Sequence, residues 1–204
     1  MVPVVCSKCG AHHAVEAYPS INTAQNPELK ARVLDGSLFV WECPSCGARN
    51  LLRYETLYHD PAEKLMIWLL PGEKEPPRAV EEAVKDLPGY TLRRVGEVGE
   101  LVEKAKIFAA GLDDWSMELC KWVTRREMDE KNPEMADAPL RFSRLEGADN
   151  AIIFALAHGG AMHELSVGFN VYEDACSILS RHRGQLPSEA FVQVNENTIG
   201  RLMR

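Results

Sequence analysis

Two short cysteine pairs, Cys6-Ser7-Lys8-Cys9-Gly10 and Cys43-Pro44-Ser45-Cys46-Gly47, carry the clearest chemistry in the chain. A Cys-x-x-Cys turn aims two sulfurs at a common centre, and the glycine after it accepts the positive φ that such a knuckle demands. Two knuckles supply the four soft ligands of a tetrahedral site. The thiols must ionise to bind, so four cysteinates around a divalent cation leave a formal charge of about −2 and no open coordination position. Cys6, Cys9, Cys43 and Cys46 are therefore candidate ligands of a structural metal, with no place for a substrate at the ion.

A second candidate lies at Tyr58-His59-Asp60. An imidazole oriented by a carboxylate is half of an acid–base site, and Ser20 and Asn22 are candidates to be brought close to His59 and Asp60 by the ribbon fold. The plainer reading is that Asp60-Pro61 is turn chemistry and His59 bonds a loop carbonyl. On extended backbone, neighbouring side chains also point apart. Other pairs have ordinary explanations: His12 and His13 follow a site already filled by four sulfurs, which leaves them as solvated residues or donors to the ligands. Asp113 and Asp114 suit the start of a helix. Cys120 and Cys176 fall on apolar helix faces, where free cysteine is a small hydrophobe, and His158 and His163 flank a hairpin turn. The nucleophile elbow, the phosphate-binding loop and the His-Glu-x-x-His motif are absent from the sequence.

The cysteine pairs need elements to hold them. Between Cys9 and Cys43 lie 33 residues, against roughly 15–20 in a minimal ribbon, so something folds inside. The insert reads as a strand over 14–17, a helix with Asn26 as N-cap, Pro27 at its first position and Gly36 after its end, and a strand over 38–41. Further strands are expected over 51–54 and 65–70, joined by the polar stretch at 58–61. A proline-rich, charged segment at 71–77 marks a boundary, giving a zinc-ribbon domain over 1–71 and a second domain over 78–204.

Beyond the boundary, Ala79, Val80, Ala83, Val84 and Leu87 have helical spacing, and 90–95 reads as a strand. Two helices follow, one lined by Val98, Leu101, Val102, Ala105 and Phe108, the next by Trp115, Leu119, Trp122 and Val123 after a short break at Gly111. A loop is expected over 131–139. Strands come next over 140–145, 151–157 and 164–169, the last two a hairpin across His158-Gly159-Gly160, then a helix over 171–183, a strand over 190–194 and a terminal helix. The class is α+β, a ribbon with an inserted helix followed by a mixed region with a small antiparallel sheet. No internal repeat or low-complexity tract is visible.

Composition narrows the functions. The chain has 204 residues, 46% of them hydrophobic, which suits a globular core, and no run nears 18 apolar residues, so no membrane span is expected. Net charge is −7; up to Pro71 six Lys and Arg face seven Asp and Glu, and beyond it 17 face 23. Nucleic acid is a poor partner for such a surface, because phosphates call for a clustered basic footprint and Lys30, Arg32, Arg49 and Arg53 form a small patch at most. No signal-peptide pattern opens the chain, which points to the reducing cytoplasm and away from disulfides.

The knuckles together with Ser20-Ile21-Asn22, Asn26-Pro27-Glu28-Leu29-Lys30, Leu57-Tyr58-His59-Asp60 and Gly111-Leu112-Asp113-Asp114 resemble the CpXC protein family, over about residues 4–125. The resemblance implies a metal ribbon and a bacterial or archaeal source without supplying a reaction. Ser7 stands where the family pattern has proline, which alters turn rigidity and removes no ligand. The cysteine frame also resembles that of rubredoxins, so iron competes with zinc for four sulfurs. About 150 residues beyond the site exceed what a small electron carrier needs, which favours zinc. The expectation is a cytoplasmic zinc protein that works by interaction with a protein partner, with an enzyme built on His59, Asp60, Ser20 and Asn22, or an iron carrier, as alternatives. Trp41, Trp68, Trp115 and Trp122 are the aromatic residues available to anchor an interface.

Overall fold

The computed structural model describes every residue except 73, 85, 86 and 188. The chain forms two compact units, Met1–Val102 and Glu103–Arg204, and passes from one to the next inside a helix.

In the first unit β1 (Val2–Val5) and β2 (His12–Val15) form an antiparallel hairpin. After β3 (Ser20–Asn22) comes α1 (Pro27–Leu34), which starts on Pro27 as expected and buries Leu29 and Val33. Asn26 is its N-cap residue, yet its side chain makes no capping bond. A single 3-10 turn, Ser37–Phe39, replaces the first half of the strand expected at 38–41 and buries Leu38 and Phe39. The strand proper is β4 (Val40–Glu42), which pairs antiparallel with β5 (Arg49–Leu51). The strand expected at 51–54 thus sits earlier, drawn back by this pairing.

A mixed sheet follows. β6 (Thr56–Asp60), β7 (Leu65–Leu69) and, after α2 (Arg78–Val84), β8 (Thr91–Val95) join β3 in the order β3-β6-β7-β8. β6 and β7 are antiparallel, while β3 and β8 run parallel to their neighbours. The polar stretch read as a connection is therefore a strand. Its alternation is hidden from hydropathy because the buried positions are Thr56, Tyr58 and Asp60, polar groups that reach partners inside. The segment at 71–77, read as a boundary, falls between β7 and β8, and those strands are hydrogen-bonded neighbours. None of the residues of α2 is buried, so the stripe of Ala79, Val80, Ala83 and Val84 is not a core face; residues 85 and 86 of the expected helix lie outside the described residues. α3 (Val98–Ala109) then leads into the second unit.

There, Asp113 caps α4 (Asp114–Lys131), its carboxylate accepting the Ser116 N–H at 2.8 Å. The stretch expected as a loop holds one 3-10 turn, Pro133–Met135. β9 (Arg141–Glu146), β10 (Ala151–His158) and β11 (Ala161–Val167) form an antiparallel meander in the order β11-β10-β9. α5 (Phe169–His182) and α6 (Glu196–Leu202) both pack on α4. No strand forms over 190–194, although Phe191, Val192 and Val194 are buried. The core joins Ile107, Met117, Leu119 and Cys120 to Phe142, Ile152, Phe154, Tyr172 and Ile199.

Charge is also buried in this unit. Lys121 Nζ lies 2.9 Å from Glu103 and 3.1 Å from Glu118, and Lys104 Nζ lies 3.1 Å from Asp114. Arg141 and the Phe142 N–H complete the shell of Glu103 at 3.3 and 2.7 Å. Burial works against ionising Glu103, but Lys121 and Arg141 outweigh it and hold the carboxyl below its usual range. Asp114 is thus an ion-pair partner inside the unit, and Asp113 is the cap.

Candidate metal centre

Each knuckle is the turn of a short hairpin, and the two turns are built alike. The Cys6 N–H donates to Ala11 O and the Gly10 N–H to Cys6 O, both at 2.9 Å; the Cys43 N–H donates to Ala48 O at 2.9 Å and the Gly47 N–H to Cys43 O at 2.8 Å. Gly10 and Gly47 hold φ of +72° and +68°, the left-handed region that costs other residues energy. A short repeat is therefore present, Cys-x-x-Cys-Gly-Ala in both hairpins, below the length of an internal repeat of folded units.

The hairpins bring all four sulfurs within 4.8 Å of one another. Cys6 Sγ lies 3.6 Å from Cys46 Sγ, and Cys9 Sγ lies 3.7 Å from Cys43 Sγ. A tetrahedron with metal–sulfur bonds of about 2.3 Å has edges of about 3.8 Å, whereas a disulfide needs about 2.05 Å. All four are free thiols. Cys6 and Cys43 are buried beside Trp41 and Leu52, Cys46 is half-buried and Cys9 is exposed.

Local electrostatics favour a cation at this point. The Cys9 N–H, helped by that of Lys8 and by neighbouring thiols, outweighs burial and draws Cys6 down to about 6. The Ala48 N–H favours the Cys46 thiolate too, but burial and the thiols of Cys9, Cys6 and Cys43 push it up to about 12. One thiol of the cluster ionises easily and another resists, as expected where like charges crowd. A divalent cation removes that conflict, so the donor set fits a metal ion.

Two residues near the sulfurs went unnoticed as a pair in the sequence. Asn50, on β5 and 9% exposed, directs its Nδ2 to Cys6 Sγ at 3.7 Å. His13, on β2, places Nε2 3.6 Å from Cys43 Sγ and 3.3 Å from Ser45 Oγ. His13 is thus a neighbour of the ligands. Asn50 falls just before the strand expected over 51–54, and its one trace in the sequence is that it follows Cys43 at the same distance as His13 follows Cys6.

The polar candidates are split between two faces of the mixed sheet. Asp60 faces inward, 2.7 Å from Lys30 Nζ, and accepts the Tyr58 hydroxyl at 3.1 Å. Burial opposes its ionisation, but Lys30, Thr23 and Tyr58 hold its carboxyl below the usual range. Burial likewise pushes the Tyr58 hydroxyl up, so it stays a donor. His59 is half-buried, and its Nε2 lies 3.1 Å from Tyr90 Oη. Asn22 is its register neighbour on β3 and accepts the Ala24 N–H at 3.0 Å, while Ser20 is exposed beside Leu57. Among the described residues no hydrogen bond joins His59 to Asp60, Ser20 or Asn22.

Elsewhere, burial pushes the Cys120 thiol up to about 11, consistent with a packing role. His163 Nε2 lies 3.3 Å from the His158 carbonyl across the hairpin. Trp41, Trp68 and Trp115 are buried, and Trp122 carries the Arg126 guanidinium over its ring at 4.1 Å. No helix among the described residues is long and apolar enough to cross a membrane.

Fold and site together define an α+β protein with a four-cysteine cluster near its N-terminus that could hold a metal ion. The family model described as CpXC protein matches residues 4–121, more than half of the chain, and the chain belongs to that family. No match was found among curated proteins or among solved structures.

Proposed function

We propose that Cys6, Cys9, Cys43 and Cys46 hold one zinc ion in a structural role, and that the ribbon it pins works as an interaction module for a protein partner in the cytoplasm of a prokaryote. The observation that carries the metal reading is the pair of sulfur separations, 3.6 and 3.7 Å, close to a tetrathiolate edge. Zinc is preferred to iron because a second compact unit accompanies the ribbon, more chain than an electron carrier requires. Bound there, the ion supplies rigidity and no reactive position. The interaction reading is supported by the closed shell and by apolar residues left outside on the ribbon. Val5 on β1 and Leu51 on β5 are 54% and 50% exposed, and Leu51 borders a groove of about 390 Å³ with Arg53, Leu69, Pro71 and Val98.

An acid–base role keeps one supporting observation, the Tyr90 hydroxyl within reach of His59; Asp60, turned inward to Lys30, has no part in it.

The test is metal analysis of protein isolated from its native host, alongside capture of partners by the wild type and by Leu51→Asp. A colourless protein with one equivalent of zinc, and a specific partner lost in the variant, is the expected result. A red protein assigns the site to iron, four freely reactive thiols overturn the metal reading, and equal capture by both proteins removes the ribbon groove from the interaction.

A further inference from the structure

The two hairpins hold each other's sulfurs. Asn50 belongs to the second hairpin and reaches Cys6 in the first; His13 belongs to the first and reaches Cys43 in the second. Both occupy the same place after the first cysteine of their knuckle. Each buried sulfur therefore has a polar side chain arriving from the opposite hairpin.

The symmetry breaks at the residue after that first cysteine, which is Ser7 in one knuckle and Pro44 in the other. Proline has no N–H and a locked φ, so its ring stiffens the turn without a partner. Ser7 has a free N–H and a hydroxyl, and both go to one atom: Asn50 Oδ1 accepts the Ser7 N–H at 2.9 Å and the Ser7 Oγ–H at 2.8 Å. The Nδ2 of Asn50 donates to Ala48 O at 2.8 Å and toward Cys6 Sγ. The carboxamide is thus fully used, with two acceptor and two donor contacts, and this fixes which end faces which group. Reversed, it would set an NH2 against the Ser7 N–H and an oxygen against a carbonyl and a thiolate.

Resting on the reading that the four thiolates hold a metal, we propose that Asn50 is a positioning residue of the centre. Its oxygen holds the first knuckle in shape, as the ring of Pro44 holds the second, and its N–H group steadies the Cys6 thiolate. The two actions belong to different atoms and are separable. Asn50→Ala removes both. Asn50→Asp is nearly isosteric and keeps an acceptor for Ser7, but it sets a carboxylate against the thiolate and the Ala48 carbonyl. Ser7→Pro restores turn rigidity and deletes the N–H that needs Asn50.

The experiment uses the full chain loaded with cobalt(II), reading the sulfur-to-cobalt charge-transfer bands and the rate of cobalt transfer to an excess of chelator. A wild-type protein without tetrathiolate bands defeats the underlying metal reading. With those bands present, the variants test Asn50 itself. Loss of an outer partner of this kind costs about 10–100-fold in metal retention, so Asn50→Ala is expected to release cobalt faster by that factor. Asn50→Asp is expected to shift the charge-transfer bands, a signature that simple loosening of the fold would not give. Ser7→Pro is expected to slow release in the Asn50→Ala background and to quicken it in the wild type, where it leaves Asn50 Oδ1 unpaired. Release within twofold of wild type in Asn50→Ala, or the same effect of Ser7→Pro in both backgrounds, overturns the proposal. Should Asn50→Ala fail to fold, unmoved bands in Asn50→Asp overturn it by themselves.

Discussion

Replacing Cys43 with serine removes one buried sulfur and leaves a side chain of similar shape. Cys43 is 1% exposed, its backbone closes the second knuckle through Ala48 and Gly47, and His13 lies against its sulfur. The surroundings can do little to compensate. Each hairpin is a two-stranded ribbon, marginal on its own in water, and among the described residues the cluster around the site buries Cys6, Trp41, Cys43 and Leu52, with Val4, Val15 and Tyr54 half-buried against it. A structural zinc site contributes about 10–16 kcal/mol to folding. Shared evenly among four sulfurs, one ligand is worth about 2.5–4 kcal/mol, or about 60- to 700-fold at about 1.4 kcal/mol per factor of ten. Hydrogen exchange with mass spectrometry on the full chain reads this directly. The amides of Cys6, Gly10, Cys43 and Gly47, all bonded within their knuckles, are expected to lose that much protection in Cys43→Ser. Metal content should fall in parallel, while α4 and α5 keep their protection. Wild-type protection in the knuckles of a metal-poor variant would refute the idea that an ion pins the ribbon.

Three further outcomes follow from the geometry. Gly47→Ala should destabilise the second knuckle by about 1–2 kcal/mol, because φ is +68° and only Glu42 Oε1 at 3.9 Å approaches the new methyl; an unchanged melting temperature would contradict the backbone argument. Glu103→Gln should cost about 3–5 kcal/mol in denaturant unfolding, since it removes one of the two buried carboxylates that face Lys121 and the one that faces Arg141 at 3.3 Å; a cost below about 1 kcal/mol would show that the network behaves like a surface pair. Asp60 is lowered in the folded chain, so its contribution is complete above its ordinary unfolded value and disappears as pH falls through the folded one. The stability gap between wild type and Asp60→Asn should therefore be full at neutral pH and shrink in acid, and a gap independent of pH would remove the Lys30–Asp60 pair as its source.

Where local chemistry is self-sufficient, residue types sufficed to place the elements. Pro27 and Gly36 bracket α1, Asp113 starts α4, and Gly159-Gly160 turns the β10–β11 hairpin, since each acts within a few residues of chain. Residue types do not suffice where partners are distant in sequence. β6 looked like a polar connection because its inward carboxylate is neutralised by Lys30 on α1. Residues 190–194 looked like a strand because Phe191, Val192 and Val194 are apolar, yet they are buried with a single isolated bridge at Val192 and no strand of their own. At the candidate site the four cysteines were legible from spacing. Asn50 was not, because its role depends on Ser7 and Cys6 in another hairpin.

The amino-acid sequence alone determined the identity of the four thiols, the two glycine-closed turns that carry them and the α+β class, because these depend on spacing and on backbone preferences a few residues long. Only the tertiary structure decided that the two turns face each other at tetrathiolate distances, that His59 and Asp60 stand on opposite faces of a strand, and that Asn50 spans the hairpins. The physical reason is that direction is set by strand register and by long-range pairing, neither of which is a property of any short stretch of chain.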